Sequence, residues 1–272
     1  MKEYLICIDS DGCAMDTMNR KHDLCFGPEW VKQFGLESVK KEALAYWNRI
    51  NLFSKTRGIN RFKGLAKGLK WAEGKGYTFE GLDAFITWTE ETTELSNPAL
   101  LKVCQEEKNT CMEEALLWSI HVNLAIKRQS ESGDGPFENV KEVMEQLNQE
   151  ADLAAVSSAN AQALEEEWTK YGLKNYCQEL LSQEAGTKAE CIRGLLKKGY
   201  KEEQTVMVGD AIGDYEAAVQ NGVWFYPIVA GQEVESWEKL KDDAYPRLKK
   251  GEFTAEYQKN LLWEFENALE GR

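Results

Sequence analysis

No stretch of this chain approaches the roughly 18 consecutive apolar residues that a membrane-spanning helix needs, so no span is available. A basic excess is missing as well. The 33 lysines and arginines stand against 46 acidic residues, for a formal net charge of -13, and the sequence pI is near 4.9. A surface of that average sign repels a phosphate backbone or an anionic bilayer, so neither nucleic acid nor membrane is expected as a partner. The seven cysteines (Cys7, Cys13, Cys25, Cys104, Cys111, Cys177, Cys191) include no Cys-x-x-Cys pair and are odd in number, which excludes a zinc ribbon and argues against a disulfide framework. They are expected to be reduced thiols. The short apolar run after Met1-Lys2-Glu3 has no cleavage site, so no signal peptide is expected and the protein is expected to be cytoplasmic.

What the chain does have is length and a change of period. At 272 residues it can bury roughly 75% of the surface its unfolded form exposes, enough for one sizeable domain and a smaller one. Tyr4-Leu5-Ile6-Cys7-Ile8 is a continuous apolar run, the pattern of a strand covered on both faces in a parallel sheet. After Asp16 that pattern gives way to helical-period segments, at 38–50, 65–73 and 113–127, and these continue to about residue 132. A cluster of turn formers, Ser130-Glu131-Ser132-Gly133-Asp134-Gly135-Pro136, then reads as a linker.

From there strands and helices alternate: a helix at 138–149, a strand at 152–156, helices at 161–171 and 188–198, a strand at 205–208, a helix at 215–221 and a strand at 223–229. Alternation of this kind implies a parallel sheet with right-handed crossovers. The expected fold is therefore α/β, a Rossmann-like parallel-sheet core with an inserted α-helical cap. The core takes residues 1–16 and 136–272, with a helical tail that packs on the body through Trp237, Leu240, Tyr257, Leu261, Leu262, Trp263 and Phe265; the cap takes 17–135.

Ligands of such sheets bind beyond the carboxyl ends of the strands. The first strand ends in Asp9-Ser10-Asp11-Gly12, two carboxylates separated by one residue. Strand 152–156 runs into Ser157-Ser158-Ala159-Asn160 at the start of a helix, where backbone N–H groups favour an anion. An ordinary helix cap would use the same residue types. Gly186-Thr187-Lys188 opens another helix with a cation, and strand 205–208 ends in Gly209-Asp210, with Asp214 four residues on. In a parallel sheet these come to one edge, where Asp9, Asp11 and Asp210 would crowd together. Two like charges at about 4 Å repel by about 4 kcal/mol at an effective dielectric of 20. Such a cluster either holds protons or binds a cation, and oxygen-only ligands suit Mg²⁺. A metal, a lysine and helix N-termini together describe a phosphate site.

In order and type, these four motifs resemble those of the haloacid dehalogenase superfamily. The resemblance covers residues 1–16 and about 136–229, while the insertion matches only in position and helical character. It implies a Mg²⁺-dependent phosphatase acting on a small phosphorylated metabolite through an aspartyl phosphate. Asp9 would be the nucleophile and Asp11 the acid and base. Ser157 and, more weakly, Ser158 would hydrogen-bond the phosphoryl group, and Lys188 would neutralise it. Asp9, Asp210, Asp214 and the backbone carbonyl of Asp11 would hold the metal. An acid at position 11 disfavours dehalogenation, because relatives that displace halide lack it. A phosphomutase, a phosphonate hydrolase and a non-catalytic phosphate-binding module are the alternatives. Cys13, where Thr or Val is usual, and Ala189, where Pro often follows the lysine, depart from the family pattern without removing a reacting group. No structural reason brings His22 or His121 to Cys13, so a catalytic thiol is not expected.

Between Ala43 and Ala72 the net sign reverses: Arg49, Lys55, Arg57, Arg61, Lys63, Lys67 and Lys70 occur with no acidic residue. Arg57 and Arg61 lie in or beside a turn-like segment flanked by Phe53 and Phe62, and are candidates for gripping an anionic or ring-bearing substrate. A solvated basic face is the equal alternative. Five of the nine tryptophans fall in the insertion, where core packing is the expected role for most of them.

Overall fold

The computed structural model describes residues 1–129 and 135–270. Of the turn-rich segment expected to close the insertion, Ser130 to Asp134 lie outside the described residues. Gly135 and Pro136 are tied back to the first strand's exit: the Asp16 N–H donates to the Gly135 carbonyl at 2.8 Å, and Pro136 makes an antiparallel bridge with Met15.

Five strands form one parallel sheet: β1 (Tyr4–Ile8), β2 (Ala151–Val156), β3 (Cys177–Leu181), β4 (Thr205–Gly209) and β5 (Trp224–Pro227). Their order is β3-β2-β1-β4-β5, which puts the first strand in the centre. Register is tight there, with Ile8 opposite Ala155 of β2 and Val208 of β4. The strand period of two sends alternate residues to opposite faces. Ile6 and Ile8 join Leu153, Ala155, Val206 and Val208 on one face, beneath the helices Val140–Glu150 and Ala161–Lys170. Leu5 and Cys7 join Ala154, Val156 and Met207 on the other, beneath Lys188–Leu196 and Ile212–Gln220. Both faces are covered, which explains why β1 is apolar throughout. The architecture is the α/β, Rossmann-like one expected.

The C-terminal helix Ala255–Glu270 follows the β5 edge. Leu261 packs into one core cluster and Leu262 against the other, while Gln258 Oε1 accepts the Phe225 N–H at 2.7 Å. Trp263, by contrast, is 70% exposed.

One strand was not expected from the sequence. β3 lies at the sheet edge, only partly buried, with the sequence Cys177-Gln-Glu-Leu-Leu. Glutamine, glutamate and leucine are good helix formers and none of the five residues is β-branched. Pairing with β2 overrides that local preference, with a register shift between Leu153 and Ala154.

Contacts divide the chain into two compact units, one of Met1–Met18 with Asp134–Arg272 and one of Asn19–Gly133. The second unit is α-helical, with Gly27–Gln33, Lys40–Asn51, Arg61–Glu73, Leu82–Glu91, Asn97–Glu106 and Thr110–Gln129 as its main helices. Three of these, at 27–33, 82–91 and 97–106, are short, and two carry proline in the first turn. Proline there is compatible with a helix start, because its missing N–H would have had no intrahelical partner. Trp30, Trp47 and Trp118 are fully buried in this unit's core. Trp47 Nε1 donates to His22 Nδ1 at 3.0 Å, so that histidine is occupied within the helical unit. Among the described residues, no helix is long and apolar enough to cross a membrane.

Candidate active site

The carboxyl edge of the sheet is built from the inside out. The Asp9 N–H donates to the Val208 carbonyl at 3.0 Å, which extends the β1–β4 ladder one residue past the strand and fixes the Asp9 backbone. Beyond it the chain turns sharply. The Ser10 carbonyl accepts the N–H groups of Cys13, Ala14 and Met15 at 3.3, 3.0 and 2.8 Å, and Gly12 N–H donates to Met15 O at 2.9 Å. Gly12 has φ +83°, in the left-handed region that glycine enters without a Cβ penalty.

On the neighbouring strand, β4 delivers Asp210, and the helix Ile212–Gln220 brings Asp214 back across the strand end. Asp214 accepts the Ala211 N–H on Oδ2 at 3.1 Å. Gly209 makes this possible, since a Cβ there would lie 2.3 Å from Asp214 Cγ. Lys188 opens the helix Lys188–Leu196, whose N-cap Thr187 forms a capping box with Glu190. Its ammonium lies 2.9 Å from Asp9 Oδ1 and 2.5 Å from Asp214 Oδ1. Asp9, Asp210 and Asp214 are all buried, and each offers a carboxylate oxygen within 4.8 Å of the others.

Two of these three buried carboxylates, Asp9 and Asp214, thus share one half-buried ammonium. Burial pushes the Asp9 carboxyl up to about 6; the Lys188 charge opposes that shift and the Asp214 charge adds to it. Asp214 is raised too, by burial with Lys188 again opposing and Asp210 adding. For Lys188, burial disfavours the charge, but the Asp214 and Asp9 carboxylates outweigh it and hold its proton more tightly than usual. Burial disfavours charge on converging carboxylates, so protons or a cation held among them lowers the cost of bringing them together. The donor set is oxygen only, which fits a hard divalent cation.

The remaining predicted residues fall as follows. Asp11 is half-buried and its Oδ1 accepts a hydrogen bond from Thr17, a fully buried residue that sequence reasoning did not single out. Asp9, Asp210 and Asp214, all expected at the metal, are the carboxylates that converge; the Asp11 carboxylate, expected to crowd with Asp9 and Asp210, is not one of that group. Ser157 is buried directly after β2, with its N–H on the Leu181 carbonyl at 2.9 Å and its hydroxyl accepting the Ala159 N–H at 3.1 Å. The helix cap is supplied not by Ser157 but by Asn160, whose side chain accepts the Ala163 N–H at 2.9 Å. Ser158 is exposed.

Arg57 and Arg61 belong to the helical unit. Arg57 is 3% exposed and donates to the Leu52 carbonyl at 2.9 Å. Arg61 donates to Ser119 Oγ at 3.1 Å and Asn123 Oδ1 at 2.7 Å, with its guanidinium 5.0 Å above the Phe26 ring. The Cys13 thiol is buried, and burial raises its pKa, ahead of the nearby aspartates, so the nucleophilic thiolate is disfavoured.

A parallel α/β sheet with aspartates at the ends of β1 and β4, and a lysine bridging Asp9 to Asp214, is the frame that the family comparison identifies. The chain belongs to the haloacid dehalogenase-like hydrolases, whose family model matches residues 71–228, more than half of its length. Asp9 and Asp11 precede the matched span. Among solved structures, a protein of Lactobacillus delbrueckii subsp. bulgaricus assigned as a phosphoglycolate phosphatase is 15% identical, with TM-score 0.52 over 83% of this chain and 85% of its own. That likeness is one of fold. A haloacid dehalogenase-like family protein of Streptococcus pneumoniae is 12% identical, with TM-score 0.44 over 86% and 90% of the two chains. A haloacid dehalogenase superfamily hydrolase of Geobacter sulfurreducens is 14% identical, with TM-score 0.45 over 82% and 86%. No curated protein matches.

The close approach of Asp214 to Gly209 makes a paired test. Gly209→Ala is expected to lower the urea midpoint by an amount corresponding to about 2 kcal/mol or more, because backbone and Asp214 must separate. Gly213→Ala, where the added Cβ meets nothing within 4 Å, is expected to leave the midpoint unchanged or raise it. Equal effects from the two variants would contradict the packing described.

Proposed function

We propose that this protein is a Mg²⁺-dependent phosphatase of small phosphorylated metabolites that works through an aspartyl phosphate on Asp9. The observation that carries the reading is the buried group of Asp9, Asp210 and Asp214 around Lys188. A phosphoryl transfer site needs a nucleophile held still, positive charge beside it and little water. Lys188 supplies the first two requirements together, since the same ammonium fixes one Asp9 oxygen and lies where charge on the phosphoryl oxygens would develop.

In this reading an Asp9 carboxylate oxygen attacks phosphorus as the ester P–O bond breaks, and the leaving oxygen takes the proton of Asp11. Water then attacks the same phosphorus, passing a proton back to Asp11 and releasing Asp9. Thr17 holds the Asp11 carboxylate at one rotamer, which suits a group that must meet first the leaving oxygen and then water. Ser157, with its hydroxyl proton free to point away from the Ala159 N–H, can donate to a phosphoryl oxygen. Ser158, exposed next to it, is the weaker candidate. The metal site comprises Asp9, Asp210, Asp214 and the Asp11 carbonyl, and a bound Mg²⁺ supplies charge neutralisation for the phosphoryl oxygens. Substrate recognition by Arg57 and Arg61 is part of the same proposal. Their guanidiniums are held by Leu52, Ser119 and Asn123, so little side-chain entropy remains to be lost on meeting an anion.

Two outcomes follow. Purified protein assayed on a panel of phosphate esters should release phosphate only with Mg²⁺ present, and Asp9→Asn should lower turnover by roughly 10⁴-fold or more. Retention of most activity in Asp9→Asn would sink the proposal.

The second outcome concerns pH. Asp9 holds its proton more tightly folded, with a pKa of about 6, than at the ordinary value of 3.8, so without metal this group costs the fold stability as pH rises from about 4 through 6. Mg²⁺ needs the ionised form. At a free concentration a hundredfold above its Kd it should stabilise the fold by about 2.7 kcal/mol at pH 7.5, and that gain should shrink as pH falls through 6. A thermal shift that is the same at pH 5 and pH 7.5 would contradict the cation site.

A further inference from the structure

The loop that carries both aspartates is bonded to itself through the Ser10 carbonyl, and two of its polar groups point away from that network. The Ser10 hydroxyl accepts a hydrogen bond from Trp168 Nε1 at 2.8 Å. The Cys13 carbonyl accepts one from Trp237 Nε1 at 2.9 Å. Both indoles are fully buried. They come from separate helices, Ala161–Lys170 and Glu233–Lys239, at 158 and 224 residues' remove from their partners.

Resting on the reading of Asp9 as nucleophile, we propose that Trp168 and Trp237 form an indole clamp whose two N–H donors set the position of the Asp9–Asp11 loop for the reaction. Neither touches the reacting atoms; both are positioning residues. An indole is suited to the task, as a rigid plane with two rotatable bonds and a single donor, locked here on all sides by core packing.

Each arm is anchored to another part of the sheet edge. Trp168 lies on the helix that begins at the Asn160 cap, directly after the Ser157 turn, so its bond ties the nucleophile loop to the turn assigned to the phosphoryl group. The helix of Trp237 is held on β5: Tyr226 Oη donates to the Ser236 carbonyl at 2.7 Å, and Ser236 Oγ accepts the Val229 N–H at 3.1 Å. A shift of either helix would therefore be transmitted to the backbone that carries Asp9 and Asp11. In-line attack tolerates little of this, since a misplacement of about 1 Å can cost about 100-fold in rate.

Trp168→Phe and Trp237→Phe keep most of the aromatic bulk and remove the donor. Amide hydrogen exchange read at Gly12, Cys13, Ala14 and Met15 should speed up by about 10-fold or more in each variant, while amides of β1 and β2 stay protected. With a phosphate ester as probe and Mg²⁺ saturating, kcat should fall about 10-fold or more with KM within about twofold of wild type. Ser10→Ala should lower kcat like Trp168→Phe, and the double variant should lose little more than either alone, because one hydrogen bond is being removed twice.

Unchanged exchange at residues 12–15 would overturn the clamp. Faster exchange without loss of kcat, or losses that multiply in the double variant, would overturn its role in positioning. The exchange result does not depend on turnover, so an active Asp9→Asn would refute the nucleophile assignment while leaving the clamp's hold on the loop measurable in its own right.

Discussion

Lys188 bridges, through its ammonium, two of three buried, converging carboxylates, and the geometry of the site follows from that bridge. Its ammonium reaches Asp9 and Asp214 at once, 2.9 and 2.5 Å away, so two side chains from different strand ends are held at a fixed separation. Removing such a bridge from a buried site would leave like charges facing each other with little water to screen them. Burial raises the Asp9 carboxyl to about 6, with Lys188 opposing the shift and Asp214 adding to it, close enough to neutral pH that a second cation can displace the proton without a large penalty. Stability and the proposed chemistry are therefore coupled at one side chain: Lys188 fixes one Asp9 oxygen, and in the proposed reaction the other attacks.

The sheet makes this nest from three distant parts of the sequence, around residues 9, 188 and 210–214. β1 sits between β2 and β4, so the residues that leave its end are flanked by the ends of both neighbours. A helix follows each flanking strand, and those helices supply the parts that a strand end cannot. Asp214 returns over Gly209 on the first turn of one helix, and Trp168 reaches Ser10 from another. The inserted helical unit has its own core of buried tryptophans, separate from the sheet's two apolar layers. That independence is consistent with an insertion that leaves the order of the sheet undisturbed.

Much of this was legible in the residues, for reasons that can be stated. Period and spacing carried the sheet: β1, β2, β4 and β5 are buried runs of apolar residues, and their ends are marked by Asp9, Ser157, Asp210 and a turn. β3 is not legible in the sequence, because an edge strand need not be apolar or β-branched. Asp214 was legible through its place in the family motif four residues after Asp210; what spacing alone does not carry is how it arrives, on a helical turn that brings it back over Gly209, which has no side chain to stop it. Thr17 on Asp11, Trp168 on Ser10 and Trp237 on Cys13 left no local pattern at all. Tertiary packing alone creates the two tryptophan contacts, and nothing in a window of ten or twenty residues encodes them.

In the proposed reaction Asp9 carries the phosphoryl group between ester and water, and this can be observed directly. Turnover of an activated aryl phosphate with Mg²⁺, quenched in acid within milliseconds and digested under acidic conditions, should yield the peptide containing Asp9 with the added mass of one phosphoryl group, labile to hydroxylamine as an acyl phosphate is. A phosphoryl group found stably on Ser10 or Ser157, or substrate consumed with no phosphorylated peptide at any quench time, would contradict the account.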